Sequence, residues 1–316
     1  MASFAFTKMH GLGNDYIYVD CFREALNGVD RPALARDISD RHRGVGSDGL
    51  ILICPPDRGV DAVCRMEMYN ADGSRGEMCG NGIRCVAKYV VEHAINQNRD
   101  RQKAPIESEL NHALSAIGEP LGLRDITATD LRIQTDRGVL SLTAFSSDRV
   151  VQSVRVDMGA PILSPAKIPV KTKGDRCIRE PIEIGGRSLA MTCVSMGNPH
   201  AVFFVGSFSG IDVPALGALV ERHPSFPNRV NAHFVTVQSR VEATMKTWER
   251  GSGITQACGT GACAVLVAGV LEGRLDSIAH VHLPGGDLRI EWPDGEGGSV
   301  FMTGPAEEVF SGVWHV

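Results

Sequence analysis

Met78-Cys79-Gly80-Asn81-Gly82 and Ala257-Cys258-Gly259-Thr260-Gly261 put a cysteine in front of the same Gly-x-Gly turn twice in one chain. Each turn opens a stretch that reads as helix, with Val86, Tyr89, Val90 and Ala94 at helical spacing after the first and a long apolar run after the second. A thiol at a helix start lies beside free N–H groups and the positive end of the helix dipole, so its pKa is expected to fall. Two such thiols predict a base and an acid acting on one substrate.

The surroundings of the two turns repeat as well. In the first half, strands are expected at Asp15 to Val19, Leu50 to Ile53 and Arg65 to Tyr69, with a helix from Pro32 to Arg41. In the second half, strands are expected at Ala201 to Val205, Asn231 to Val235 and Val241 to Trp248, with a helix from Val213 to Arg222. Gly13-Asn14 and Gly197-Asn198 each precede the first strand of their half, at nearly equal distances from Cys79 and Cys258. The simplest reading is an α+β chain of two pseudo-symmetric domains, each strand-rich with one central helix.

The expected domains are residues 1–157 and 158–304, with a last strand within about 305–316 returning to the first. A polar stretch at about 96–130, with a weak helical segment from Leu110 to Ile117, reads as an insertion of the first domain and a solvated excursion.

Composition narrows the function classes. A net charge of −5, with 22% charged and 43% hydrophobic residues, describes a globular protein without the basic stripe of a nucleic-acid binder. No apolar run reaches the roughly 20 residues of a membrane helix, and the N-terminus lacks the basic and apolar regions of a signal peptide. Nine scattered cysteines fit reduced thiols, most of them core fillers, and a cytoplasmic address is expected.

Glycine has no Cβ, so Gly80-Asn81 and Gly259-Thr260 let a ligand approach backbone N–H groups at two helix starts, an arrangement suited to a carboxylate. With one sulfur on each face of the adjoining α-carbon, one thiolate would take the α-proton while the opposite thiol returned one, inverting the centre. Such a base needs neither metal nor organic cofactor. The phosphate-loop pattern Gly-x-x-x-x-Gly-Lys-Ser/Thr does not occur in the chain. A zinc site is not expected, because Cys79/Cys85 and Cys258/Cys263 lack Cys-x-x-Cys spacing and no histidine pair accompanies either in the sequence.

Longer motifs carry a family resemblance. Lys8 to Tyr16, Tyr69-Asn70-Ala71-Asp72-Gly73-Ser74, Met78 to Cys85, Met196-Gly197-Asn198-Pro199-His200, Glu249 to Ala264 and Leu283-Pro284-Gly285-Gly286 together resemble the diaminopimelate epimerases. The resemblance implies two similar domains closing around the substrate, each a β-sheet wrapped around a central α-helix. It implies cofactor-independent conversion of LL- to meso-diaminopimelate, in supply of lysine and peptidoglycan, by a homodimer.

Carried over by motif, Cys79 and Cys258 are the proton donor and acceptor, and His200 and Glu249 support catalysis beside them. Asn14, Gly49, Asn70, Gly80, Asn81, Asn198, Asn231, Glu249, Arg250, Gly259 and Thr260 are the implied substrate contacts, and no metal is implied. Arg250 would grip the distal carboxylate with its planar fork while Glu249 meets the distal ammonium. Three positions depart from the family pattern: Gly49 offers only backbone where Gln is also common, Ile254 stands where Glu is frequent, and Phe310 where Tyr is frequent at the dimer contact. Proline and hydroxyproline racemases share the two-cysteine arrangement but act on substrates without a distal amino-acid head. A non-catalytic amino-acid-binding or zinc-binding protein is the remaining alternative.

Overall fold

Runs of Ile, Val, Tyr and Phe bounded by Gly, Asp and Asn become strands, and two apolar stretches opened by Cys-Gly become the helices those strands enclose. The computed structural model describes residues 3–76, 78–94 and 126–315. These divide into two compact units, Met1–Val156 with Gly304–Val316, and Asp157–Thr303. The expected helical segment at Leu110 to Ile117 lies outside the described residues. Ile126 to Asp130, expected within the insertion, is strand instead, because it pairs antiparallel with Thr143 to Ser147 along a continuous register.

In the first unit the order is β1 (Ser3–Gly11), β2 (Asn14–Asp20), α1 (Arg31–Ser39), β3 (Gly49–Cys54), β4 (Cys64–Asn70), β5 (Arg75–Gly76), α2 (Gly80–Ala94), β6 (Ile126–Thr135), β7 (Gly138–Ser147) and β8 (Val150–Asp157). In the second it is β9 (Glu180–Ile184), β10 (Arg187–Ser195), β11 (Pro199–Phe204), α3 (Val213–Glu221), β12 (Asn231–Ser239), β13 (Glu242–Glu249), β14 (Gly253–Ile254), α4 (Gly259–Leu271), β15 (Ile278–Leu283), β16 (Gly286–Glu291) and β17 (Phe301–Gly304). The last strand, β18 (Glu307–His315), pairs antiparallel with β1.

The pairings repeat step for step. β2 runs parallel to β3, and β11 parallel to β12. β3 and β4 are antiparallel, as are β12 and β13. β4 then pairs parallel with β6, as β13 does with β15. The outer helices start alike too: Asp30 and Asp212 are N-caps that accept from Ala33 N–H at 3.2 Å and Ala215 N–H at 3.0 Å, each followed by proline in the first turn. Duplication is therefore written into both registers and caps.

Each central helix is enclosed rather than laid on a surface. Ile83, Arg84, Cys85, Val86 and Ala87 of α2 are all at 0% exposure, and α2 packs on β1, β2, β6 and β7. The run Ala262 to Ala268 of α4 is likewise fully buried and packs on β10, β11, β12, β15 and β16. α4 is apolar all round and so requires burial on every side, whereas α2 takes Arg84 and Lys88 inside with it, Arg84 donating to the Pro305 and Gly80 carbonyls and Lys88 to Glu92 and the Val151 carbonyl. Each large aliphatic residue contributes about 1.5–3 kcal/mol when buried. Around them lie two further apolar clusters, one including Ile17, Val19, Leu50 and Leu52, the other Ile182, Phe203, Val220 and Phe234. Among the described residues no helix is long and apolar enough to cross a membrane.

Candidate active site

Each unit gathers its own share of the expected residues. In the first, β1 turns into β2 through Leu12 and Gly13, both at positive φ (57° and 80°), a two-residue hairpin that fixes where Asn14 begins β2. Cys79 immediately precedes α2, and its thiol donates to Asn14 Oδ1 at 3.3 Å while accepting from Gly82 N–H at 3.4 Å. Asn81 Nδ2 donates to the same Asn14 oxygen at 3.3 Å. Asn14 is held in turn by Asp48, whose carboxylate accepts its Nδ2 at 2.7 Å and Asp15 N–H at 3.1 Å.

Asn70 and Gly49 lie opposite each other on β4 and β3. Asn70 Nδ2 donates to Ser74 Oγ at 2.9 Å, which closes the turn ahead of β5. The Gly49 N–H and carbonyl both engage Ser47 Oγ, and a Cβ there would fall 2.2 Å from the Tyr69 carbonyl oxygen and 2.9 Å from Tyr16 Cε1. Close packing of two strands and a tyrosine thus accounts for glycine at this position.

In the second unit Cys258 is the N-cap residue of α4, and it is buried, at 4% exposure. Thr260 Oγ1 lies 3.8 Å from its sulfur and accepts from Asn198 Nδ2 at 3.3 Å. Asn198 Oδ1 accepts from His200 Nε2 at 3.0 Å, His200 Nδ1 lies 2.9 Å from His233 Nε2, and His233 Nδ1 lies 3.0 Å from Thr247 Oγ1. Because an amide oxygen only accepts, His200 carries its proton on Nε2. His233 therefore donates from Nε2, and the Thr247 hydroxyl donates to His233 Nδ1.

Asn231 is buried and ties backbone together, donating to the Pro199 carbonyl at 3.1 Å and accepting Arg250 N–H at 2.8 Å. Arg250 Nη1 donates to the Asn228 carbonyl at 3.1 Å, and Glu249 accepts from Thr255 Oγ1 at 2.6 Å.

The electrostatics of Cys258 reverse the helix-start expectation. Burial pushes this thiol well above its ordinary value and the Glu249 carboxylate adds to the rise; the Gly261 N–H and Thr260 hydroxyl oppose it without prevailing. The free N–H groups of a helix start favour the thiolate, whereas removal of water penalises it, and here the second effect wins. Burial likewise drives His200 well below the usual histidine range and His233 to about 3, so both rings are neutral.

Five participants escape the sequence reading: Asp48, Thr255, Tyr16, Thr247 and His233. His233 had a signal, since it stands two residues after Asn231 on one strand and so shares its face. The histidine pair found missing near Cys258 in the sequence is supplied by β11 and β12: ligand atoms of His200, His233 and Cys258 lie within 4.8 Å of one another.

The family model for diaminopimelate epimerase matches residues 6–109 and 192–309. A diaminopimelate epimerase of Agathobacter rectalis is 48% identical over 314 residues, covering 97% of this chain and 98% of that one. One of Geobacillus kaustophilus is 46% identical over 318 residues, covering 100% and 98%. Among solved structures, a probable proline racemase from Agrobacterium radiobacter superposes with a TM-score of 0.66 at 16% identity, covering 99% of this chain and 92% of that one. A phenazine biosynthesis protein of the PhzF family from Bacillus anthracis gives 0.64 at 13%, covering all of both chains. At such identities the structures share the fold alone, whereas the family match and the near-full-length relatives establish kinship: the chain belongs to the diaminopimelate epimerase family.

Proposed function

We propose that this protein is an epimerase that converts LL-diaminopimelate to meso-diaminopimelate by a two-cysteine mechanism. The observation that carries the reading is the duplicated helix start: Cys79 and Cys258 occupy equivalent positions at the mouths of two equivalent buried helices, in a chain 48% identical to a named diaminopimelate epimerase. In the direction LL to meso, Cys258 takes the α-proton from one face and Cys79 returns a proton to the other. In the substrate only the α-C–H bond is broken and remade; the Cys79 S–H bond breaks as a Cys258 S–H bond forms, and the reverse reaction exchanges the roles.

Cys258 must lose its own proton before it can act as a base. Glu249, whose carboxylate already raises the thiol, is the group assigned to receive that proton, and Thr255 holds it in place. On the other thiol, Asn14 and the Gly82 N–H fix the direction of sulfur. The N–H groups of Gly80-Asn81 and Gly259-Thr260 are assigned to the reacting carboxylate. Arg250 is assigned to the distal amino-acid head, and Asn14, Asn70, Asn198 and Asn231 to ordering the substrate or its supports. His200, neutral and held in one tautomer, supports the site through Asn198.

A cytoplasmic location and a homodimer belong to the same proposal. All nine cysteines are free thiols, which suits a reducing compartment, and Val309, Phe310 and Val313 are exposed along β18, apolar residues that a second copy could cover. The decisive experiment incubates the purified protein with LL-diaminopimelate in deuterated water and follows α-deuterium incorporation and the appearance of the meso form. Cys79→Ala and Cys258→Ala should each abolish epimerisation. Turnover of proline with none of diaminopimelate would replace this reading with a proline racemase.

A further inference from the structure

The two units provide an internal comparison. His233 stands opposite Val202 in the parallel pair β11–β12, as Ile51 stands opposite Tyr18 in β2–β3. His200, two residues after Asn198, takes the place that Tyr16 holds after Asn14. The glycines agree: a Cβ on Gly82 would meet Ile51 Cδ1 at 2.6 Å, and one on Gly261 would meet His233 Cε1 at 2.4 Å. One scaffold therefore surrounds one cysteine with tyrosine and isoleucine and the other with two imidazoles. Among the described residues, His200, His233 and Cys258 are the one cluster of metal-ligating groups so close together.

We propose that Cys258, His200 and His233 bind one borderline-soft divalent cation of the zinc class, and that this metal reversibly silences the Cys258 thiol. Thiolate and imidazole are the ligands zinc prefers, and three protein ligands leave a fourth position for water. Zn–N near 2.05 Å and Zn–S near 2.3 Å in a tetrahedron imply N···N of about 3.3 Å and N···S of about 3.6 Å. His200 Nδ1 and His233 Nε2 stand 2.9 Å apart along a hydrogen bond, and the sulfur lies within 4.8 Å of both. Admitting the ion therefore takes a separation of the two nitrogens by roughly 0.4 Å, a turn of the rings that brings both lone pairs onto it and an approach of the thiol. A Cβ at position 261 would lie 2.4 Å from His233 Cε1, 2.9 Å from its Nε2 and 3.0 Å from Cys258 Sγ, so glycine there is what lets the imidazole and the thiol sit side by side.

The protons balance. His200 keeps its Nε2 proton on Asn198 and offers the Nδ1 lone pair. His233 shifts its proton from Nε2 to Nδ1, where it donates to Thr247 Oγ1, and offers Nε2. The thiol proton leaves to solvent, so each cation bound releases one proton and oxidises nothing. Metal binding rests on these three side chains alone, while the inhibition rests on the epimerase proposal.

The test is titration of metal-free, full-length protein with Co2+. The expected result is one equivalent bound, with a thiolate-to-cobalt charge-transfer band, tetrahedral d–d bands and release of one proton. Cys258→Ser should abolish the charge-transfer band, His233→Gln should weaken cobalt binding at least tenfold, and Cys79→Ser should leave both unchanged. Cys258→Ser changes a single atom, so it decides the matter even where His233→Gln fails to fold. Absence of the band in the native protein, or its survival in Cys258→Ser, overturns the site. In parallel, Zn2+ should inhibit diaminopimelate turnover and a chelator should restore it. A cobalt spectrum from a protein that does not turn over diaminopimelate would uphold the metal site and refute the function; full turnover with the site loaded would refute the inhibition.

Discussion

Gly82→Ala and Gly261→Ala make the same change at equivalent positions of the two central helices, and the structure predicts unequal outcomes. The new methyl at position 82 meets Ile51 Cδ1 at 2.6 Å, with Cys79 Cβ and Met66 Cε at an ordinary 3.4 Å. The close atom is the tip of a flexible side chain, so a rotation relieves it at a cost of about 1 kcal/mol. A helix gains up to about 1 kcal/mol when alanine replaces glycine, which leaves Gly82→Ala near neutral in stability.

At position 261 the methyl meets a buried ring held at both ends, by His200 at 2.9 Å and Thr247 at 3.0 Å, and also lies 3.0 Å from the Cys258 sulfur. Moving the ring costs overpacking of about 1–3 kcal/mol and weakens two hydrogen bonds worth about 1 kcal/mol each. After the same helix gain, Gly261→Ala should be destabilised by about 2–4 kcal/mol. For a unit of this size that is a fall of roughly 4–16 °C in the melting transition of the second unit. Scanning calorimetry with far-ultraviolet circular dichroism measures it in both variants. Shifts within 1 °C of each other would refute the claim that His233 is pinned where Ile51 is free.

Three further outcomes follow from the geometry. Asp15 is subject to burial, which raises its pKa, but hydrogen bonds from Arg41 and Lys8 outweigh it and hold the carboxyl below its ordinary value. Its contribution to stability is complete above the unfolded value near 3.9 and disappears as pH falls through the lower folded value. The stability gap between the native protein and Asp15→Asn should therefore be constant from pH 5 to 7 and shrink below about pH 4 in urea titrations; a constant gap down to pH 2 would contradict it. Cys79 is half-buried and Cys258 is buried with its thiolate disfavoured, so iodoacetamide should label Cys79 first in the ligand-free protein, as peptide mass mapping would show. Thr255→Val removes the hydroxyl that donates to Glu249, and a hydrogen bond to a charged group is worth about 1.5–3 kcal/mol. kcat should fall roughly tenfold or more and recover in Thr255→Ser, whereas unchanged kcat would remove Glu249 from the proton path.

The repeated Cys-Gly-x-Gly and the apolar residues after it were sufficient to read two central helices, and for α4 the burial too, because a helix apolar on every side has nowhere to lie except inside a sheet. α2, with Arg84 and Lys88 along it, did not announce its enclosure. The strands around Ile17, Leu50, Phe203 and Phe234 were legible for a similar reason, their alternation and β-branching being local properties. The start of β6 at Ile126 was not, since its pairing with Ser147 is made across a turn by partners that a polar composition does not reveal.

At the site, sequence determined which residues flank each thiol along the chain: Gly80-Asn81 and Gly259-Thr260 follow covalently. Only tertiary structure decided what comes to each thiol from elsewhere. Asn14 reaches Cys79 from 65 positions away, and His200 and His233, from separate strands, reach the surroundings of Cys258. The same packing that brings these groups together removes water from Cys258, and desolvation, a property of the whole enclosure, overrides the local pull of the helix start. Chain order therefore fixed the two thiols and their backbone turns, while burial made the two thiol sites chemically unlike.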